Sequence, residues 1–514
     1  MAANIAINSA VLRGVEAIPV IVEVSVSDGL PGMAIVGMAD MAVQEAKERV
    51  RTAIKAAGFK MPNKKVVVNL APSDIKKKGT GFDLPIALGV LACTGQIDIE
   101  SIKGRLFVGE LSLDGAVRNI PGTLAYGICA KKIGSELISA GKEAVPIEDV
   151  VHRKLTTLRE MVGGQQLEVV KSKKIALEVT SSDAPDFRDV AGHDIAKRAA
   201  QIAVAGNHGI LMVGPPGSGK TMLASRMVTI LPPLDTDEML EAAVVHSVAG
   251  EDVEPILQGR RPFRHPHHSA TVAGLVGGGT PLRPGEVTLA HCGALFLDEL
   301  AEFRPSALQV LRQPMESGKV CLTRAEGNVT FPSRFMLIAA SNPCPCGYYG
   351  DEEHRCTCSE VSVRKYQGRI GGPLIDRIDI QIDVHRLKPS KVLDSGYGTD
   401  SETLRQGVLQ AREFIKHRLS KVDKSGEKTL FDQPILLHKE KMSSKRIVES
   451  CGLAQDTHNF VIEMAEKNSM SGRALVNTLR VARTIADLGQ SQSVGINHVS
   501  EALGFRIRDG VGGL

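Results

Sequence analysis

Tryptophan is absent from the 514 residues, tyrosine occurs five times, and aromatics make up 4% of the chain. Exposed rings are what non-specific single-strand binders use to stack bases, so the sequence carries little equipment for that mode of recognition. Long apolar runs are missing as well. No window approaches the ~20 apolar residues a membrane span requires. The first residues, MAANIAINSAVLRGVEAIPV, lack a basic segment followed by a sustained apolar stretch. The expected compartment is therefore the cytoplasm, with no membrane partner. Neither sign of charge is in excess: 62 Lys plus Arg face 58 Asp plus Glu, a net charge of +4. That balance does not by itself announce a nucleic-acid binder. The local runs Lys76, Lys77, Lys78 and Lys171, Lys173, Lys174 read first as solvated surface and second as phosphate contacts. Nine cysteines in a chain this long do not make a disulfide scaffold, and four of them crowd between 344 and 358. This suits a reducing compartment with a candidate metal site.

What is present is the composition of a soluble globular protein, 43% hydrophobic and 23% charged. At roughly 100–200 residues per domain the length predicts about three units. From 18 to 170, short β-branched runs (VIVEVSV, KVVVNLA, RLFVGEL) alternate with helical stretches at 40–57 and 83–95, which reads as an α/β unit. Periodicity is lost near 168–187, where Lys, Ser, Asp and Pro gather, so 171–187 is read as a linker. A second α/β unit, 188–385, contains GILMVG, ALFLDE and FMLIAAS, each apolar enough to be buried on both faces of a parallel sheet. A doubly wound core is expected. Beyond it, helical periodicity at 402–419, 443–451, 456–468, 471–489 and 496–504 predicts a helical lid over 386–514.

Strand GILMV runs straight into GPPGSGKT, that is Gly214, Pro215, Pro216, Gly217, Ser218, Gly219, Lys220 and Thr221. This is the GxxxxGK(S/T) pattern in its strand-loop-helix context. Glycines let backbone N–H groups wrap phosphates at a helix N-terminus, the lysine neutralises β and γ phosphates, and the threonine hydroxyl ligates magnesium. ATP with Mg2+ is the cofactor the pattern predicts. Further on, ALFLDE ends in Asp298 and Glu299. Paired carboxylates at a buried strand end are costly unless employed, here in holding the magnesium shell (Asp298) and polarising the attacking water (Glu299). FMLIAAS leads to Asn342, which either orients water near the γ-phosphate or caps a turn.

The order and spacing of these segments resemble the AAA+ superfamily. In that resemblance Lys220 and Thr221 match Walker A, Asp298 and Glu299 match Walker B, and Asn342 matches sensor 1. Arg377 in GPLIDRIDI looks like the finger presented to a neighbouring subunit, and Arg473 in SMSGRALVNTLR looks like sensor 2 on the lid. Either arginine also reads as a surface ion pair. A finger acting in trans requires a ring. More specific are RPFRHPHHSATVAGLVGGGTPLRPGEVTLAHCGALFLDELAEF, ASNPCPCG and LRVARTIADLG, which resemble the ComM/YifB group of magnesium-chelatase-like proteins over essentially the whole chain. The resemblance implies a hexameric ring, an insert before Walker B and a β-hairpin before sensor 1, at 320–332. It also implies DNA as partner: ComM-like proteins are ATP-driven helicases that promote branch migration during natural transformation. Lys319 and Arg324, on or beside that hairpin, either meet phosphates or are simply solvated.

The N-terminal unit, 1–170, resembles the Lon-protease-like (ribosomal S5 domain 2-like) α/β fold of this group. Where active proteases of that fold carry a serine and a lysine, this sequence carries Gly81 and Leu124, so acyl transfer has no starting point and a scaffold or DNA-binding role is expected. Cys344, Cys346, Cys356 and Cys358 form CPC followed by CTC. They admit a tetrahedral zinc ion, free thiols or a redox disulfide. His265, His267 and His268 have no carboxylates nearby in sequence, and a structural or ring-interface role is preferred over metal binding. Two further functions stay open beside the DNA motor. One is a chelatase motor, against which the N-terminal unit argues because the chelatase ATPase subunit is built without it. The other is a protein remodeller, kept because aromatics are sparse.

Overall fold

The computed structural model describes residues 3–141, 145–164, 166–171, 185–280, 282–324, 327–387, 398–420 and 444–506. Most of the expected linker, and Lys173 and Lys174 with it, lies outside them. The chain divides into two units. One comprises Met1–Leu177 with Ala243–Glu254 and Leu322–Val329, and the other Glu178–Ala242, Pro255–Cys321 and Thr330–Leu514.

The first unit is built on a seven-stranded sheet. In chain order the strands are β1 (Ala3–Arg13), β2 (Glu16–Ser27), β3 (Gly32–Val36), β4 (Lys65–Ala71), β5 (Arg105–Phe107), β8 (Glu136–Ser139) and β9 (His152–Lys154), with the short pair β6 (Glu110–Leu111) and β7 (Val117–Arg118) between β5 and β8. Their spatial order is β3-β4-β2-β1-β5-β8-β9. β1 and β2 form a long antiparallel hairpin in register from Ala3↔Val26 to Arg13↔Glu16. Alternation decides its inner face: Val20, Val22, Val24 and Val26 are buried, while Ile21 and Glu23 look outward. Helix Asp83–Cys93 packs on that inner face so closely that a Cβ on Gly89 would stand 2.3 Å from Val24 Cγ2. Helix Met41–Ala56 starts at Asp40, whose Oδ1 accepts the Val43 N–H at 2.9 Å. The lysine run at 76–78 is not uniformly solvated as expected. Lys77 is fully buried and its Nζ donates to the Pro72 carbonyl, because the segment pairs with Ala39 and turns that side chain inward.

The second unit holds a five-stranded sheet of β10 (Ile210–Val213), β11 (Phe263–Arg264), β14 (Gly293–Leu297), β17 (Phe335–Ser341) and β18 (Ile380–Asp383), in spatial order β11-β14-β17-β10-β18. All four neighbouring pairs are parallel. Every residue of β10 and β14 is buried, as a sheet covered on both faces requires. The register sets Val213 opposite Ser341 and Leu297 opposite Ala339, so the carboxyl ends of β10, β14 and β17 finish on one edge. β10, first in the chain, lies between β17 and β18; such a crossover is where open α/β sheets place their ligands. Two small two-stranded pieces lie apart from these sheets, β12 (Gly277–Gly278) with β13 (Arg283–Pro284), and β15 (Lys319–Arg324) with β16 (Gly327–Pro332), of which Leu322–Val329 falls in the first unit. The latter occupies the place expected for the hairpin, and residues 325–326 at its tip lie outside the described residues.

The helices that follow, Ser401–Ser420, Ser444–Cys451, Gln455–Lys467, Gly472–Leu488 and Ile496–Gly504, fall within two residues of the periodicity read from sequence. Buried Asp487 accepts from Arg418 and Arg483 at 2.9–3.1 Å, tying the first of these helices to Gly472–Leu488. Fully buried His208 bridges this helical layer to the sheet, Nδ1 at 3.0 Å from Asp379 Oδ2 and Nε2 at 2.8 Å from Thr484 Oγ1. Among the described residues no helix is long and apolar enough to cross a membrane.

Candidate active site

The loop from Gly214 to Thr221 leaves the carboxyl end of β10 and enters helix Lys220–Met227. A Cβ on Gly214 would lie 2.0 Å from the Val384 carbonyl oxygen, so only glycine lets the chain pass β18 there. Gly217 and Gly219 take φ values of 76° and 88°, where side chains are strained. Lys220 Nζ donates to the Gly214 and Pro215 carbonyls at 2.7 and 2.8 Å. Burial pushes this amine down to about 8, partly opposed by Asp298. A cation held among neutral carbonyls is under-compensated and is poised for an anion. Thr221 Oγ1 donates to Asp298 Oδ2 at 2.7 Å, so the loop and the end of β14 meet at one point.

Asp298 Oδ1 accepts the Glu299 N–H at 2.9 Å, and Glu299 itself is left-handed with φ 51° and ψ 47°. Such a conformation is uncommon for a residue with a Cβ and is typical of functional turns. The histidine loop follows β11, the neighbour of β14, and the fold brings it to a carboxylate that is distant in sequence. Glu299 Oε2 lies 3.1 Å from His268 Nδ1. His267 and His268 pack ring to ring at 4.0 Å and His265 rests on Phe296 at 4.6 Å. These histidines do not belong to any group with metal-ligand spacing among the described residues. Asn342 follows β17 beside the same edge.

Arg377 and Arg473 lie elsewhere. Both guanidiniums bind one carboxylate, Glu316 Oε1, at 2.9 Å for Arg473 and in a close ion pair for Arg377. They line a cleft of about 200 Å3 with Asn207, Gly209, Asp379 and Arg480. Asn207 and Gly209 precede β10, so this cleft is at the amino end of the strand whose carboxyl end carries the Gly214–Thr221 loop. Burial raises the Glu316 carboxyl, and the two guanidiniums outweigh it, leaving it below the usual range. No sequence signal marked Glu316; only the fold brings it to both arginines.

Comparison with known proteins agrees along the whole chain. The family described as "Magnesium chelatase, subunit ChlI" matches residues 186–392, "Subunit ChlI of Mg-chelatase" matches 22–143, and "Magnesium chelatase, subunit ChlI C-terminal" matches 398–506. "Competence protein ComM" of Haemophilus influenzae is 40% identical over 505 residues, covering 96% of this chain and 95% of its own. "Uncharacterized protein YifB" of Escherichia coli is 38% identical with 96% of each chain covered. The chain belongs to the ComM/YifB family of magnesium-chelatase-like proteins. By contrast, the "Magnesium-chelatase 67 kDa subunit" of Chlorobaculum parvum shares 27% over 162 residues, 30% of this chain. A chelatase description at 22–143 means that the N-terminal unit does not by its presence set the chain apart from chelatases; the extent of the match does.

Two further places in this magnesium-chelatase-like chain bear on chemistry. A Cβ on Gly81 would stand 2.8 Å from Ile120 Cδ1, and Leu124 is fully buried; neither residue itself carries a hydroxyl or an amine. The four cysteines after β17 converge: Cys344 Sγ lies 3.3 Å from Cys346 Sγ and 3.7 Å from Cys356 Sγ, Cys346 and Cys356 are 3.5 Å apart, and Cys358 completes the group within 4.8 Å. All four are free thiols, and together they can ligate a metal ion. A second group, Glu241, His291 and Cys292, has its carboxylate already engaged by Arg334 and His291, which makes it a structural brace.

Proposed function

We propose that this chain is an ATPase of the AAA+ type that works in the cytoplasm as a ring of six identical subunits on DNA, as a helicase promoting branch migration of incoming strands in natural transformation. The observation that carries the ATPase and ring reading is the division of charge between the two ends of one sheet. Lys220, Thr221, Asp298 and Glu299 cluster at the carboxyl edge, whereas Arg377 and Arg473 cluster at the amino edge. A site that needs both is complete only between neighbours, and head-to-tail contacts of that kind form a ring when the rotation between subunits closes. DNA as substrate is supported by the competence relative, and the exposed Lys319 and Arg324 beside the hairpin suit phosphate contacts that set affinity without reading sequence.

The residues fit a nucleotide with magnesium. Gly214 is closed to any side chain, and Lys220 is a buried cation bonded only to neutral partners. When bound, the nucleotide supplies a phosphoanhydride and its magnesium a Lewis acid. Lys220 and the loop N–H groups bind the phosphates, and Thr221 with Asp298 holds the metal shell. Glu299, with His268 beside it, would take the proton of the attacking water, and Asn342 would orient that water. Arg377 and Arg473 of a neighbouring copy stabilise the charge that develops on the transferring group. In this reading 1–170 is a non-proteolytic Lon-protease-like unit, 188–385 the motor core and 386–514 its lid.

ATP hydrolysis measured without nucleic acid, with single-stranded DNA and with a four-way junction, using Glu299→Gln as background, tests the proposal. Stimulation strongest on the junction, with strand exchange, is expected. No stimulation by any DNA would remove the DNA reading. The chelatase-type motor, which the family descriptions favour as second reading, would then be sought by co-purification of tetrapyrrole-handling partners. A protein remodeller would instead respond to unfolded polypeptide.

A further inference from the structure

The loop from Cys344 to Cys358 continues directly from β17 and folds back on itself. Gly347 N–H donates to the Cys344 carbonyl at 2.9 Å and Asp351 N–H to the Tyr348 carbonyl at 3.1 Å. The Asp351 carboxylate then caps the Glu353 and His354 N–H groups at 2.8 Å each, returning the chain to Cys356. The thiol separations of 3.3–3.7 Å are far beyond an S–S bond of ~2.05 Å. They approach the ~3.8 Å edge of a tetrahedron whose metal–sulfur distance is ~2.3 Å. Cys346, Cys356 and Cys358 are only partly buried, so apolar packing does not explain the gathering.

The same loop leans on the phosphate loop. Gly347, at φ 86°, comes so near that a Cβ would stand 2.5 Å from Pro216 Cδ and 2.7 Å from its Cγ. Arg386 grips the Pro216 carbonyl with Nε at 3.2 Å and Nη2 at 2.9 Å. Its guanidinium lies 5.4 Å over the Tyr348 ring and 3.3 Å from His354 Nδ1, and those two rings stack at 5.1 Å. Two residues enclosed by the cysteine pairs therefore hold the arginine that holds Pro216.

We propose that Cys344, Cys346, Cys356 and Cys358 bind one zinc ion, and that the loop so closed braces the phosphate loop through Gly347 and Arg386, making nucleotide affinity depend on zinc. The ion ties the two ends of a loop in which Gly350, Glu352, Glu353, His354, Arg355 and Thr357 are exposed, and pre-organisation of Pro216 passes to its neighbours Gly217 to Lys220. The proposal rests on the nucleotide reading of that loop and is independent of the DNA reading.

The test uses the full chain as purified, with metal counted by elemental analysis and nucleotide affinity read from a fluorescent ATP analogue. One zinc per chain is expected, lost in Cys346→Ser. Stripping the ion with a mercurial should weaken nucleotide binding about tenfold, and zinc with excess thiol should restore it. Gly347→Ala and Arg386→Ala should keep the zinc yet weaken binding, which separates the brace from a general loss of fold; circular dichroism checks the latter. Iron in place of zinc, or no metal, overturns the metal assignment. Equal affinity with and without zinc in a folded chain overturns the brace. If no form binds the analogue and Lys220→Ala changes nothing, the nucleotide reading and the brace fall together.

Discussion

Arg377→Ala offers the sharpest check on a site shared between subunits. From Gly209, beside the arginine cleft, to Gly214, where the phosphate loop starts, the backbone advances five residues along β10, about 16 Å at the rise of a strand. Arg377 is anchored at the near end by Glu316, so it cannot serve its own Lys220. Removing an arginine finger lowers turnover by about 10³–10⁵, or about 4–7 kcal/mol of transition-state stabilisation. Arg377→Ala alone and Lys220→Ala alone should therefore both be nearly silent in ATP hydrolysis. In a 1:1 mixture each site draws its lysine from one chain and its arginine from the next. The lysine is intact in half of the chains and the arginine in the other half, so about one quarter of sites regain both. Hydrolysis in the mixed ring should rise to roughly that fraction of the unmodified rate when sites fire independently, and lower when they are coupled. With both groups acting inside one chain, no mixture holds an intact site. A mixture no more active than its components, with co-assembly verified by mass photometry, would refute the assignment.

Lys220→Ala should abolish tight nucleotide binding, whereas Glu299→Gln should keep it and suppress hydrolysis; normal turnover in the latter would remove Glu299 from the base role. His268→Ala should leave nucleotide affinity in place and slow hydrolysis about tenfold, because the carboxylate loses its orienting partner; an unchanged rate would show that the 3.1 Å contact is incidental. The Lys220 amine, pushed down to about 8, gives a pH dependence with a definite sign. Above pH 8 it is neutral in the nucleotide-free chain and must take up a proton to meet a phosphate. Affinity should then fall up to about tenfold per pH unit from 8 toward 10. Over the same range the unfolded chain binds more protons than the folded one, so the nucleotide-free protein should gain stability as pH rises. Titration calorimetry and thermal melts at pH 7, 8, 9 and 10 would show both trends; a flat affinity profile would count against the depressed amine.

Much of the architecture was legible because the signals are local. GPPGSGKT is contiguous, its glycines are required by backbone conformation, and the apolar runs on either side fall where β10, β14 and β17 lie. The lid helices follow from a period carried within each segment. Lys77 shows the limit: composition makes a lysine triplet look solvated, and only pairing beside Ala39 turns one member inward.

By itself, then, the sequence picked out the residues proposed to handle a nucleotide, since the GxxxxGK(S/T) pattern is a short contiguous stretch with its own strand-loop-helix context. Tertiary structure alone decided which groups those residues meet. His268 reaches Glu299 because β11 and β14 are neighbours in the sheet. Arg377 and Arg473, 61 and 157 residues from Glu316 along the chain, share its carboxylate because both come to the amino end of the strands. Gly347 reaches Pro216 because β10 and β17 are adjacent and end together. Each of these contacts depends on strand order and register, which are set by how the whole core packs and leave no mark on the spacing of residues in the chain.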